Sequence, residues 1–234
     1  MSTVIEPTSA PPPAPRPRST ETLADLLHRL GDVPASRVRL DPLPGTATFE
    51  DLVQVNEERR GPTCEWIDGT LVEKAVGMFE SWVAMIIAGE FYRYLEQHDL
   101  GMIVGEAAVM RILPGIGRAP DVAFLAWASL PGGKPPPRSD KVPAVVPDLA
   151  VEVLSESNTK REMERKRREY FQAGVKLVWE INPETRAANV YTAVDQVTPV
   201  PVGGTLDGGS VLPGFQLSLK AVFDRAERQG GTPH

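Results

Sequence analysis

The chain has 234 residues, 41% hydrophobic and 24% charged, enough for one substantial core with appendages and for an enzyme. Its net charge of -6 excludes a globally basic nucleic-acid footprint, so a polyanion would have to meet a local basic patch. The single cysteine, Cys64, excludes an intrachain disulfide and suits a reducing compartment.

Residues 1–18 hold six prolines and no continuous apolar run, and are expected to form a disordered tail rather than a signal peptide. Residues 19–47 read as a short helix and linker. Ser19 or Thr20 caps "ETLADLLHRLG", Leu23, Leu26, Leu27 and Leu30 make its stripe, and Gly31 stops it. The main domain is predicted over 48–228, with a flexible end at 229–234, and opens with a second helix capped at Thr48. "CEWIDGTLVEKAV" alternates about Asp68-Gly69, which predicts a hairpin.

Helical spacing of Val83, Ile86, Ile87, Phe91 and Tyr94 predicts a helix from about Glu80 to Gln97, with Trp82 on its core face. "MIVGEAAVMRIL" and "PDVAFLAW" read as an antiparallel strand pair joined by the turn-rich "PGIGRA". A proline-rich surface loop covers 128–145. "VPDLAVEVL" is apolar on both faces and predicts a strand buried on both sides. Ser155, Ser157 or Asn158 then caps a helix running to Ala173, stopped by Gly174. "VKLVWEI" and "NVYTAV" form a second hairpin, with Trp179 in the core, and "FQLSLKAVF" closes a mixed α/β domain around one sheet. The longest apolar segment, "WVAMIIAGEF", is far short of the ~20 residues needed to cross a bilayer, so a soluble cytoplasmic protein is expected, with no membrane partner.

His28, His98 and His234 are scattered, which leaves zinc sites and histidine triads without support, and no glycine loop of the phosphate-binding kind follows a strand. The remaining chemistry is acidic. Glu152 stands inside the doubly buried strand, where a lone carboxylate costs several kcal/mol or gives up its charge. Paired with Asp121 on an adjacent strand, it could share a divalent cation; Mg2+ (or Mn2+) suits two carboxylates, with the Val153 carbonyl as a further ligand. Taken alone, Glu152 fits equally well a buried ion pair with a basic residue of the next helix. Asp148 lies ~13 Å along the same strand and reads as a strand-start residue.

A nuclease also needs a cation at the phosphate. The position two residues beyond Glu152 is Leu154, so the cation must come from the following helix, where Lys160, Lys166 and Arg167 all remain open on the helical wheel. The run "KREMERKRR" reads as a solvated helix laced by i,i+3 and i,i+4 pairs, with phosphate contact as the sharper alternative.

"RAPDVAFL", "VPDLAVEVLSESNT" and "KRREYFQAGVKLVWEINP" together resemble the Uma-type restriction endonuclease family, whose members resemble the PD-(D/E)XK nucleases; the likeness runs over roughly residues 48–224. The resemblance implies a restriction-endonuclease-like core, a mixed central β-sheet flanked by helices. It implies Asp121 and Glu152 as metal ligands and a lysine moved from strand to helix. The spacing Lys166 to Tyr170, followed by Gly174-Val175, matches the family pattern and selects Lys166. Glu80 and Glu106 enter as auxiliary acids. The implied function is a Mg-dependent endonuclease acting on DNA, by analogy a homodimer; the alternative is a catalytically inactive nucleic-acid-binding or protein-interaction module of the same fold.

Overall fold

Turn chemistry sets the first two strands. In the computed structural model, which describes residues 21–58, 61–75 and 77–228, β1 (Cys64–Ile67) and β2 (Thr70–Glu73) are joined by Asp68 and Gly69, both at positive φ (48° and 74°). Two left-handed residues give the turn whose twist matches paired strands, as the Asp-Gly pattern predicts. The predicted tail, the caps at Ser19 and Thr20, and residues 229–234 lie outside the described residues. Thr22 caps the first helix, α1 (Leu23–Leu30), and Gly31 ends it in the left-handed region at φ 98°.

Next come α2 (Phe49–Glu58), the two strands above, α3 (Met78–Leu95), β3 (Gly101–Gly105), β4 (Met110–Leu113), β5 (Ile116–Arg118) and β6 (Val122–Ala126). The second half holds β7 (Leu149–Val153), α4 (Lys160–Ala173), β8 (Leu177–Asn182), β9 (Ala187–Ala193), β10 (Gln196–Val200), β11 (Thr205–Asp207), β12 (Gln216–Ser218) and α5 (Leu219–Ala226). The central sheet has the order β10-β9-β8-β7-β6-β3, with β7 antiparallel to β6 and parallel to β8. A parallel neighbour requires a crossover connection, and α4 provides it.

One side of this sheet carries α3 and α5 on Val122, Phe124, Val151, Val153 and Trp179. The other side, Ala123, Ala150 and Val178, packs on α1, on α4 through Tyr170, and on a second sheet of order β2-β1-β5-β4. Every residue of β7 is buried, as its apolar pattern predicts, and Trp179 is core.

The second sheet corrects the expectation of a single one. "MIVGEAAVMRIL" is two strands in different sheets, split by the turn at Glu106 and Ala107, so Glu106 is a turn residue; β3 does pair antiparallel with β6. "IGR", read as turn, is β5, paired with both β4 and β1. Trp82, expected in the core, is 46% exposed on the outer side of α3. The cap of α4 is Thr159, whose side chain accepts the Glu162 N–H, while Ser155 and Asn158 shape the preceding turn. The helix is also less solvated than its sequence suggests: Glu162, Lys166 and Glu169 point inward. Among the described residues no helix is long and apolar enough to cross a membrane.

Asp148 pins the start of β7. Its buried carboxylate accepts the Ala126 N–H (2.8 Å), the Ser129 hydroxyl (2.8 Å) and the Lys176 ammonium (2.6 Å). Asp148→Ala leaves a backbone donor without its partner and is expected to cost about 2–3 kcal/mol in urea unfolding, whereas Lys176→Ala, an exposed partner, costs under about 1 kcal/mol.

Candidate active site: a row of paired acids and cations

Strand register brings the two sequence-predicted carboxylates together. Val122 pairs with Val151 across the antiparallel β6 and β7, so one step further puts Asp121 opposite Glu152. On the other side of β7, Glu152 is in register with Glu180 of β8. Three acids thus stand side by side on consecutive strands, and like charges directly opposed on one face repel unless cations intervene.

Each acid has its cation. The Lys74 ammonium, just past β2, donates to Asp121 Oδ1 at 2.7 Å and to the Ala119 carbonyl, while the Val153 N–H donates to Asp121 Oδ2 at 2.7 Å. Lys166 of α4 lies 3.1 and 3.3 Å from the two Glu152 oxygens, and the Tyr170 hydroxyl donates to Glu152 Oε1 at 2.5 Å. Arg167 donates to Glu180 at 2.9 Å and stacks over the Tyr191 ring at 4.2 Å. Of the three cations left open by the sequence, Lys166 meets Glu152, Arg167 meets Glu180, and Lys160 is exposed at the mouth of a cavity of about 710 Å³. The charge of Glu152 is therefore met by the next helix, the ion-pair reading of its sequence.

A second tier lies behind this row. Glu65 of β1 is 3.4 Å from Lys166, receives Arg118 Nη1 at 2.6 Å and accepts the Ala119 N–H. Arg118 turns its other two nitrogens to Glu169 at 2.6 and 2.8 Å. Lys74, Glu65 and Arg118 were missed by the sequence reading. Glu65 carried the same signal as Glu152, an acid between apolar strand residues; Lys74 and Arg118 carried none, because their partners are far along the chain.

Burial and pairing pull in opposite directions on these groups. For Glu65, burial raises the pKa, but Lys166, Arg118 and Lys74 outweigh it and bring the carboxyl down to about 2. For Glu152 burial prevails over Lys166 and Lys74, and its pKa is raised. Burial outweighs Arg167 at Glu180 in the same way, and lifts the Tyr170 hydroxyl well above its ordinary range.

The two ends of the row open to different places. Asp121, 12% exposed in its side chain, lines a groove of about 510 Å³ with Ser81, Met85 and Glu106. Glu180 and Arg167 line the larger cavity with Glu80 and Leu154, so Glu80 stands at the opposite end from Asp121. Among the described residues no three His, Cys, Asp or Glu side chains are grouped to hold a metal ion.

Two outcomes follow from these charges. Lys166→Met strands Glu152 and part of the charge of Glu65, and is expected to cost about 3–5 kcal/mol; combining it with Glu152→Gln recovers at least about 1 kcal/mol of the summed single effects in a double-mutant cycle by urea unfolding. Folded Glu65 keeps its charge down to about pH 2, whereas unfolded it protonates near 4.5. Its stabilisation, on the order of 3 kcal/mol, is complete above pH 4.5 and lost as pH falls toward 2, opposed by Glu152, whose raised pKa favours the protonated folded state. Glu65→Gln is expected to flatten the acid limb of stability against pH.

The model of the family Uma2, described as "Putative restriction endonuclease", matches residues 47–220. Among solved structures, the chain is similar to a protein described as a putative nuclease belonging to DUF820 from Anabaena variabilis, with 16% identity and a TM-score of 0.61, over 70% of this chain and 92% of that one. At that identity the likeness is one of fold. No curated protein matches the chain. With three quarters of its length under the family's model, the chain belongs to the Uma2 family of putative restriction endonucleases.

Proposed function

We propose that the protein is a Mg2+- or Mn2+-dependent endonuclease that hydrolyses DNA phosphodiester bonds, with Asp121 and Glu152 as the carboxylates that hold the metal. One observation carries this reading: Asp121, the residue before β6, falls opposite Glu152 of β7 when the strand register is extended by one step, and it lines a surface groove. The donor set fits the ion. Mg2+ takes hard oxygen ligands and is commonly held by one or two carboxylates plus substrate phosphate, so two acids suffice without a third. The Lys74 ammonium, held by Asp121 and acting on both Glu65 and Glu152, already marks this place as one that stabilises positive charge. Bound there, the metal supplies a water of lowered pKa and neutralises charge on the scissile phosphate.

The chain's own groups have positioning work. Val153 N–H fixes one oxygen of Asp121, leaving the other to Lys74 or an ion, and the Val153 carbonyl is the further ligand in this proposal. Lys166 and the Tyr170 hydroxyl orient Glu152. Because Lys166 is buried between Glu152 and Glu65, its role here is to hold the carboxylate rather than to touch the phosphate. Lys160, Arg161 and Arg168 are the exposed cations of α4 available to a DNA backbone.

A second reading, a nuclease-fold module that binds without cutting, is favoured by one observation: Leu154 occupies the strand position where a lysine would share the face of Glu152.

Supercoiled plasmid incubated with Mn2+ or Mg2+ separates the two. Nicking by the wild type that falls at least about 100-fold in Asp121→Ala and in Glu152→Gln, with unchanged circular dichroism, supports the nuclease; retained binding with no metal-dependent nicking supports the module. Removing Lys74 frees an oxygen of Asp121, so Lys74→Met is expected to tighten Mn2+ binding by about tenfold or more in calorimetry. Unchanged affinity removes Lys74 from the metal site.

A further inference from the structure

We propose that two copies of this chain pair in antiparallel fashion through the outer side of α3. The helix is apolar on both sides. Val83, Ile86, Ile87 and Phe91 are buried in the core, yet Met78 is 92% exposed, Trp82 46%, Met85 62% and Tyr92 59%. Helices apolar all round are normally buried all round. Scattered single apolar residues need no explanation, but a continuous row does.

The row has the spacing of a helix seam. Positions 78, 82, 85, 89 and 92 alternate steps of four and three, the a/d pattern by which one α-helix packs along another. No charged residue falls on these positions. The row is broken only by Gly89, and nothing lies within 4 Å of the place its Cβ would occupy, so the seam carries an open notch.

That notch selects the occupant. With a two-fold axis at Met85, an antiparallel second α3 sets Met85 against Met85 and Met78 against Tyr92, and brings Trp82 within one residue's rise, about 1.5 Å, of the Gly89 notch. The surface is then its own complement, large side chain against missing side chain, which is the condition for an isologous dimer. The exposed parts of these side chains amount to several hundred Å², a large share of the ~800 Å² per partner that a specific interface buries. Ser81 and Met85 also line the Asp121 groove, so the pairing sets the two grooves beside the seam. The inference is independent of the nuclease reading and stands or falls on association alone.

Sedimentation equilibrium of the full chain at tens of micromolar tests it. The expected result is a mass twice the 25.5 kDa of the chain. Trp82→Glu and Met85→Glu, both at exposed positions, are each expected to weaken association at least about 100-fold, giving the single-chain mass with an unchanged circular dichroism melt. Gly89→Leu, which fills the notch under Trp82, is expected to do the same. A wild type of single-chain mass, or a dimer that persists in Met85→Glu, overturns the proposal; a dimer that tolerates Gly89→Leu overturns its antiparallel register.

Discussion

The Lys166 ammonium, held between the carboxylates of Glu152 and Glu65, is the contact on which the rest of the architecture turns. An acid at the centre of a doubly packed strand cannot remain charged alone, and the cost of stranding it exceeds what a few apolar contacts return. Lys166 therefore has to arrive from α4 at one height along β7. Tyr170, one turn further on, repeats the requirement by bonding the same carboxylate. Together they fix the register of α4 on the sheet more narrowly than apolar packing can, since apolar contact tolerates sliding and a hydrogen bond does not.

Other charges follow from that placement. Turning Lys166 inward also turns Glu162 and Glu169 inward, three or four residues away on the same helix face. Glu162 is met by a bidentate Arg37 at 2.7 and 2.9 Å, and Glu169 by Arg118 and Arg165. Arg165 reaches on to Asp68 in the β1–β2 turn and to the Arg29 carbonyl at the end of α1. The second sheet and the first helix are thereby tied to α4 by charge. Buried ion pairs of this kind seldom add stability over apolar residues of equal volume. A network this large at the centre of a fold is better accounted for by what it positions, and it positions Asp121 and Glu152.

Local pattern carried much of this. The Asp68-Gly69 turn, the doubly buried β7 and the C-terminal end of α4 at Ala173 and Gly174 each rest on residues a few positions apart or on strand periodicity. The family likeness added Lys166, which the helical wheel could not separate from Lys160 and Arg167. What escaped was non-local. Lys74 meets Asp121 across 47 residues and Arg118 meets Glu65 across 53. No periodicity encodes which sheet a strand joins, so β3 and β4 merged into one predicted strand. Trp82 escaped for another reason: α3 is apolar on both sides, and a moment-like reading has no side to prefer.

The absence of a lysine at position 154 changes which parts of the chain belong to the site. A strand lysine two residues after Glu152 would share its face and make the central sheet sufficient. Here the cations come from outside that sheet, Lys74 from the end of β2 and Lys166 from α4. Lys74 in turn owes its position to the β1–β2 hairpin, whose tight turn fixes the register that carries it back toward Asp121. The four-stranded sheet is thus part of the candidate site rather than an appendage to it. Its loosening acts on Asp121 directly, through the cation that holds one of its two oxygens.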